Sequence, residues 1–238
     1  MRSRQLSLDQ YESDKIASGY LERYDQVLQP WVNKKIVLLE LGIYKGGSLL
    51  LWRDYFPLGT IVGIDMKVPR DFNPGERIHV FEGSQEDLQF LSRVANKVAP
   101  EGFDIIIDDA SHLGALTKIA FWHLFNNHLK PKGLYVIEDW GTGYWDDWPD
   151  GKSLDLEAYF KPGAARSPWW QKVRRKFRLK TPMQCHSYGM VGFIKQLIDE
   201  QGAQDVTRGR FKGKPERRSK FDNMIITPSI VFINKYDY

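Results

Sequence analysis

Cysteine is nearly absent. The 238-residue chain has one, Cys185, which excludes an internal disulfide and a cysteine-built metal cluster. Cys185 reads as a plain thiol. Long apolar runs are missing too: no stretch reaches the ~18 residues that a membrane-crossing helix requires. The opening Met1-Arg-Ser-Arg-Gln5 leads into polar sequence with no apolar signal core, so the expected compartment is the cytoplasm. No segment repeats. The dinucleotide fingerprint G-x-G-x-x-G is not met, because the spacing from Gly42 to Gly46 is wrong for it, and no Gly-Lys-Ser/Thr of a Walker loop follows. There is no Asn/Asp-Pro-Pro-Tyr motif of base methylation.

What is present is an ordinary globular composition, 42% hydrophobic and 27% charged, which rules out a mostly disordered chain. The length suits one large domain, or one domain with an insertion. Eight Trp are many, and serve either the core or flat and apolar ligand faces such as sugars. The net charge of +4 is uneven: residues 1–150 carry 16 Lys/Arg against 22 Asp/Glu, and residues 151–238 carry 18 against 8. The two parts are expected to do different work.

Residues 1–33 read as a helical segment. Leu21, Tyr24, Val27 and Leu28 share one helical face, and Pro30 ends it. Residues 34–238 form the main domain. Apolar runs at 36–41, 60–65, 78–82, 104–108 and 134–138 read as buried strands, with helices over 49–56, 85–97 and 115–126 between them. That alternation implies right-handed βαβ crossovers and a parallel sheet covered on both sides. Residues 140–183 have no period and are rich in Trp, Pro, Gly and basic residues. They read as an insertion: a lid, a binding loop or an oligomer contact. A helix over 187–201, an exposed basic loop over 208–222 and a last strand over 230–234 close the chain.

Chemistry-bearing residues gather at the carboxyl ends of these strands. Glu40-x-Gly42 with Tyr44, Gly46, Gly47 and Ser48 follows the first strand. Small residues there let backbone N–H groups approach a ligand, and the helix N-terminus adds positive charge. Asp65 ends the second strand, 23 residues after Gly42, where an acid can accept hydrogen bonds from ribose hydroxyls. Ser84 and Gln85 follow the third strand and can reach an adenine, while Ser84 or Asp87 serves equally as a helix cap. Asp108-Asp109-Ala-Ser-His112 ends the fourth strand and Glu138-Asp139 the fifth. If those strands are neighbours, four carboxylates face one crevice and repel one another. A divalent cation with oxygen ligands is the simplest relief. Mg²⁺ suits such a donor set, and zinc suits it poorly. Because side chains alternate along a strand, one of Asp108 and Asp109 faces the metal and the other can face a cofactor. His112 lies three residues beyond Asp109 and is placed to take a proton near pH 7, whereas His79, His123 and His128 read as plain partly buried residues. A salt partner filling the space between the carboxylates would undo this reading.

Glu40-Leu-Gly-Ile-Tyr-Lys-Gly-Gly-Ser48, Gly63-Ile-Asp65, Asp108-Asp-Ala-Ser-His112 and Gly133-Leu-Tyr-Val-Ile-Glu-Asp139, followed by Tyr144-Trp145, resemble the metal-dependent sugar O-methyltransferases of bacterial secondary metabolism. Ser13-Asp-Lys15 with Tyr20 and Tyr24 resembles the segment before the core in that family, which often has a His where this chain has Ser18-Gly19. The resemblance implies an α/β, Rossmann-like, doubly wound class I methyltransferase sheet of seven strands, mostly parallel with an antiparallel last strand. It implies S-adenosylmethionine as cofactor, Mg²⁺ held by Asp109, Glu138 and Asp139, His112 as general base and a glycosidic hydroxyl as acceptor. A homo-oligomer is expected.

Two basic segments are left over: residues 172–180 hold six Lys/Arg and residues 208–220 hold seven. They suit a solvated surface, an anionic glycan or nucleic acid, the last with Trp169 or Trp170 stacking on bases. The acidic site disfavours nucleic acid. Two alternatives to glycoside methylation stay open: a methyltransferase on RNA or another polyanion, and a non-catalytic cofactor- or metal-binding partner of a hydroxylase.

Overall fold

The computed structural model describes residues 1–145, 147–152, 189–209 and 213–237. The basic segment 172–180, Trp169, Trp170, Cys185 and most of the expected insertion lie outside the described residues.

Seven strands form one sheet: β1 (Val37–Leu41), β2 (Thr60–Asp65), β3 (Ile78–Glu82), β4 (Phe103–Asp108), β5 (Leu129–Glu138), β6 (Phe221–Ile226) and β7 (Ile230–Lys235). Their spatial order is β3-β2-β1-β4-β5-β7-β6. β1 to β5 pair in parallel, and β7 runs antiparallel to both β5 and β6. The central strands read as unbroken apolar runs because both of their faces are covered. Leu38, Ile105, Val136 and Phe232 are fully buried on one face, and Leu39, Ile106, Tyr135 and Ile233 on the other.

Among the described residues up to 152 the α-helices are α1 (Asp14–Ala17), α2 (Tyr20–Leu28), α3 (Gly47–Tyr55), α4 (Leu88–Val98) and α5 (Gly114–Asn127), with the short α6 (Pro149–Lys152). From residue 189 onward come α7 (Gly189–Gln201) and α8 (Ala203–Thr207). The apolar faces of α2 and α3 pack on one side of the sheet, around Tyr24, Trp52, Tyr55 and Phe56. α4, α5 and α7 pack on the other, around Leu91, Phe121, Phe125 and Phe193. Among the described residues no helix is long and apolar enough to cross a membrane.

Every strand and longer helix expected from the sequence is present, with ends moved by a few residues. β6 is an addition. Its sequence, Phe-Asp-Asn-Met-Ile-Ile, is an edge strand with exposed residues at most positions, so it carries no apolar alternation to read. The chain winds outward from β1 to β3, then returns to build β4 and β5 on the other side. The crevice between β1 and β4 is therefore the topological switch point, where open α/β sheets bind ligands.

Candidate active site

The turn after β1 is shaped by close packing. Gly42 has φ +96°, and a Cβ there would lie 2.1 Å from the Asp109 carbonyl oxygen. Only glycine lets the β1 turn sit that close to the end of β4. Gly47 opens α3, where a Cβ would lie 2.0 Å from the Glu12 carbonyl oxygen, because the N-terminal segment crosses directly over it. Asp65 binds the turn from the side: its Oδ2 accepts from the backbone N–H of Ile43 at 2.7 Å and of Tyr44 at 3.2 Å.

A cavity of about 860 Å³ runs from this turn to the end of β4, within the size range of small-molecule sites. Gly42, Tyr44, Ser48, Asp65, Ser84, Gln85, Asp109 and His112 all line it. Gln85 is 8% exposed. Its Oε1 accepts from the Ser111 N–H at 3.1 Å, while its Nε2 is buried without a hydrogen-bond partner. A buried orphan donor costs about 1–3 kcal/mol, and a ligand acceptor in the cavity would satisfy it. Asp87, not Ser84, caps α4, accepting from the Phe90 N–H at 2.9 Å.

Two expected cofactor contacts do not line the cavity. Glu40 is fully buried beneath the turn and accepts from Ser48 Oγ at 2.7 Å and Trp52 Nε1 at 3.1 Å. Asp108 points the other way from Asp109, as strand alternation requires. It is 2% exposed and accepts from the Tyr135 hydroxyl at 3.3 Å. Burial pushes its pKa up to about 7. Both acids belong to the packing under the site, which a strand-end position alone does not reveal.

The acidic cluster is not a set of bare carboxylates: the salt partner expected to undo a metal there is present in its inner half. Lys15, from α1, is completely buried among them. Its Nζ lies 2.5 Å from Asp109 Oδ2, 2.9 Å from Glu138 Oε1 and 3.3 Å from Glu40 Oε1. Burial pulls the ammonium's pKa down, but Asp109, Glu138 and Glu40 more than compensate and hold it well above the usual lysine value. Tyr24 donates to Glu138 Oε1 and Tyr20 to Asp139 Oδ1. Burial, then Asp109, push the Glu138 carboxyl well above its ordinary range, against the pull of Lys15. The expected ligand Glu138 is thus already engaged. The segment resembling the family's N-terminal motif was visible in the sequence, but its partners were not.

Lysine fills only the inner half of the cluster. In the outer half, Asp109, His112 and Asp139 each offer a ligand atom within 4.8 Å of the others. His112 Nε2 is 3.7 Å from Asp109 Oδ1 and 3.7 Å from Asp139 Oδ2. His112 and Asp139 both hold left-handed backbone, φ +51° and +52°. Such strain in non-glycine residues persists only where neighbours enforce it. Here the His112 carbonyl accepts from Trp148 Nε1 at 3.2 Å and Thr142 Oγ1 at 3.3 Å. Trp148 also packs its ring 5.9 Å from the imidazole. Asp150 Oδ2 ties this segment down, accepting from the N–H groups of Gly114 at 2.8 Å and Met190 at 2.7 Å. Neither Trp148 nor Asp150 stood out in the sequence, because residues 140–183 show no period.

The strand order, the antiparallel β7 and the cavity at the switch point define the class I methyltransferase fold. The chain superposes on the MycE methyltransferase of the mycinamycin biosynthetic pathway, solved with Mg and SAH, with a TM-score of 0.66 and 28% identity over 91% of this chain and 49% of that one. A ribosomal RNA methyltransferase of Plasmodium falciparum shares the fold alone, with a TM-score of 0.54, 12% identity, and coverage of 96% of this chain and 98% of that one. In sequence, the chain is 40% identical over 133 residues to mycinamicin VI 2''-O-methyltransferase of Micromonospora griseorubida, covering 53% of this chain and 32% of that protein. It is 44% identical over 119 residues to 8-demethyl-8-(2-methoxy-alpha-L-rhamnosyl)-tetracenomycin-C 3'-O-methyltransferase of Streptomyces olivaceus, covering 47% and 30%. These matches take in about a third of the curated relatives' length. No family model matches the chain.

Proposed function

We propose that this chain transfers a methyl group from S-adenosylmethionine to a sugar hydroxyl of a glycoside, with a divalent cation at the acidic mouth of the sheet. One observation carries the reading: the cavity from the glycine turn ends where Asp109, His112 and Asp139 converge. The similarity to sugar O-methyltransferases supports the acceptor class, and the Mg and SAH of the MycE structures support the cofactors. The acidic mouth disfavours a polyanionic acceptor.

The donor set fits. Mg²⁺ binds through one or two carboxylates and keeps several waters. Asp109 Oδ1 and Asp139 would hold it, and Glu138 joins only by releasing Lys15 or Tyr24. The orphan Gln85 Nε2 fits an acceptor atom of a nucleoside base, and Asp65 fits its ribose. When bound, the cofactor supplies an electrophilic sulfonium methyl and the ion a Lewis acid that lowers the pKa of a hydroxyl.

The residues of the chain do the rest. His112 takes the proton of the acceptor hydroxyl at Nε2, and the carboxylates of Asp109 and Asp139 stabilise the resulting imidazolium. Trp148 and Thr142 fix the main chain of His112 and so the aim of its ring. Asp139→Ala and His112→Ala are expected to lower methyl transfer to a glycoside by about 10²–10⁴-fold, while calorimetry shows S-adenosylhomocysteine binding intact. Near-normal turnover in either variant would refute these roles. A reaction suppressed steeply by salt on a polyanion panel, with no turnover on glycosides, would replace the acceptor class.

A further inference from the structure

His123 and His128 are two imidazoles for which methyl transfer has no use. In sequence they read as plain partly buried residues, five positions apart. On one continuous helix that spacing would point their side chains roughly 140° away from each other. α5 ends at Asn127, however, and His128 takes φ −132° and ψ −3° at its C-cap. The break turns the second ring back beside the first, with centroids 5.3 Å apart.

Both rings aim the same atom at the same place. His123 Nε2 lies 2.8 Å and His128 Nε2 3.0 Å from Ser92 Oγ of α4. All three residues are half-buried, not sealed from solvent. The hydroxyl has one hydrogen and can donate to only one of the two nitrogens. The Leu88 carbonyl accepts a hydrogen bond from the His123 ring, and an imidazole that spends its N–H on a carbonyl presents a bare nitrogen on its other side. A carbonyl behind the ring is also what orients the histidines of metal sites. Burial holds both imidazoles below their ordinary pKa; the Leu88 carbonyl offsets part of this at His123, and His123 adds to it at His128. Both rings are therefore neutral near pH 7, the form that binds metal.

We propose that His123 and His128 form a second cation site, separate from the acidic mouth, for a transition ion of the zinc, nickel and copper class. The two Nε2 atoms are the protein ligands that carry the affinity, and the Ser92 hydroxyl or water fills the remaining positions. Imidazole nitrogen suits these ions, whereas Mg²⁺ takes oxygen. His128 directly precedes the first residue of β5, whose last residue, Glu138, belongs to the mouth. The site therefore sits at the opposite end of the sheet from the cavity. An ion there fastens α4 to α5 and acts on stability, not on the chemistry of the mouth. The proposal does not rest on the function inferred above.

Zn²⁺ is the probe, titrated into the full chain with Mg²⁺ in excess to hold the acidic mouth. Long-range ¹H–¹⁵N spectra report each imidazole separately. The Nε2 resonances of His123 and His128 should move together with added Zn²⁺, and the thermal midpoint should rise with its concentration. His123→Gln and His128→Gln should each weaken calorimetric Zn²⁺ binding by at least about tenfold and remove the rise. Asp139→Ala should leave the movement of both resonances in place, which separates this site from the mouth. Zn²⁺ that binds while the His123 and His128 resonances stay put would overturn the proposal. So would binding that survives both glutamine variants, resonance changes lost in Asp139→Ala, or no Zn²⁺ binding at all. The spectra are recorded on the unaltered chain, so a variant that fails to fold leaves the test decisive.

Discussion

Single residues show how narrow the tolerances of this site are. Gly42 carries a positive φ and a contact that no side chain can share. Gly42→Ala is expected to cost about 2–4 kcal/mol, read as a lower midpoint in urea, and to weaken S-adenosylhomocysteine binding because the turn is pushed off β4. Gln85 tests a different case, a side chain whose Oε1 is held by the Ser111 N–H while its Nε2 has no partner in the protein. Gln85→Leu leaves the Ser111 N–H without its acceptor, so stability should fall by about 1–3 kcal/mol, and S-adenosylhomocysteine should weaken about tenfold, the worth of one further lost hydrogen bond of ~1.4 kcal/mol. Equal cofactor affinity in calorimetry would mean that this amide is not a ligand contact. Of the residues the sequence singles out, Gly42, Asp65, Asp109 and His112 all line the cavity. Glu40 and Asp108, expected beside them as cofactor contacts, do not line it. An acid at a strand end looks the same in sequence whether it points into the crevice or into the packing beneath it.

At the scale of elements, the N-terminal segment is the surprise. Its amphipathic face was readable from Leu21, Tyr24 and Leu28, which are buried. What it delivers was not: Lys15, Tyr20 and Tyr24 each reach a carboxylate at or just past the end of β4 or β5. The segment is anchored by Asp25, whose carboxylate accepts from the Ser3 N–H at 3.0 Å, Ser3 Oγ at 2.6 Å and the Tyr55 hydroxyl at 2.7 Å. Burial alone would raise the Asp25 pKa, but the hydrogen bonds from Ser3 and Tyr55 outweigh it and hold it below the usual carboxylate range. A lowered folded-state pKa gives stability that is complete above the unfolded value, near pH 4, and lost as pH falls through the folded value. Asp25→Ala should therefore cost about 2–3 kcal/mol at neutral pH. The gap in melting temperature from wild type should narrow below about pH 4. A gap that does not change with pH would assign the effect to packing instead. β6 and α6 lie at the other extreme. Short, exposed or aperiodic, they give no pattern to read; β6 is placed by its pairing with β7 and α6 by Asp150, which accepts from the Gly114 and Met190 N–H groups.

For the molecule as a whole, the division of charge has a structural counterpart. A few acids of the first 150 positions gather at the crevice, with Asp65 and Asp109 lining it and Asp139 beside Asp109 and His112, whereas the described part of the 208–220 segment is largely exposed, apart from Ser219. One of its cations is used internally: Arg217 pairs with Glu200 of α7 at 2.6 Å. Chelation tests the whole assembly. Prolonged EDTA treatment should abolish methyl transfer, and added Mg²⁺ should restore it, without unfolding the chain, because Lys15 keeps the inner carboxylates paired. A cooperative loss of circular dichroism on chelation would mean that the ion holds the fold together.

The alternation of apolar runs and amphipathic helices determined the sheet, because burial on two faces imposes a composition that survives in any linear reading. The glycine turn and the acid pairs at strand ends determined where a site would form, since the carboxyl ends of parallel strands must open into the crevice. Only the tertiary structure decided which acids face that crevice, and that a lysine from a distant short helix shares them. Those outcomes depend on which side a strand presents and on contacts across more than 90 positions of chain, and neither leaves a local trace in the order of residues.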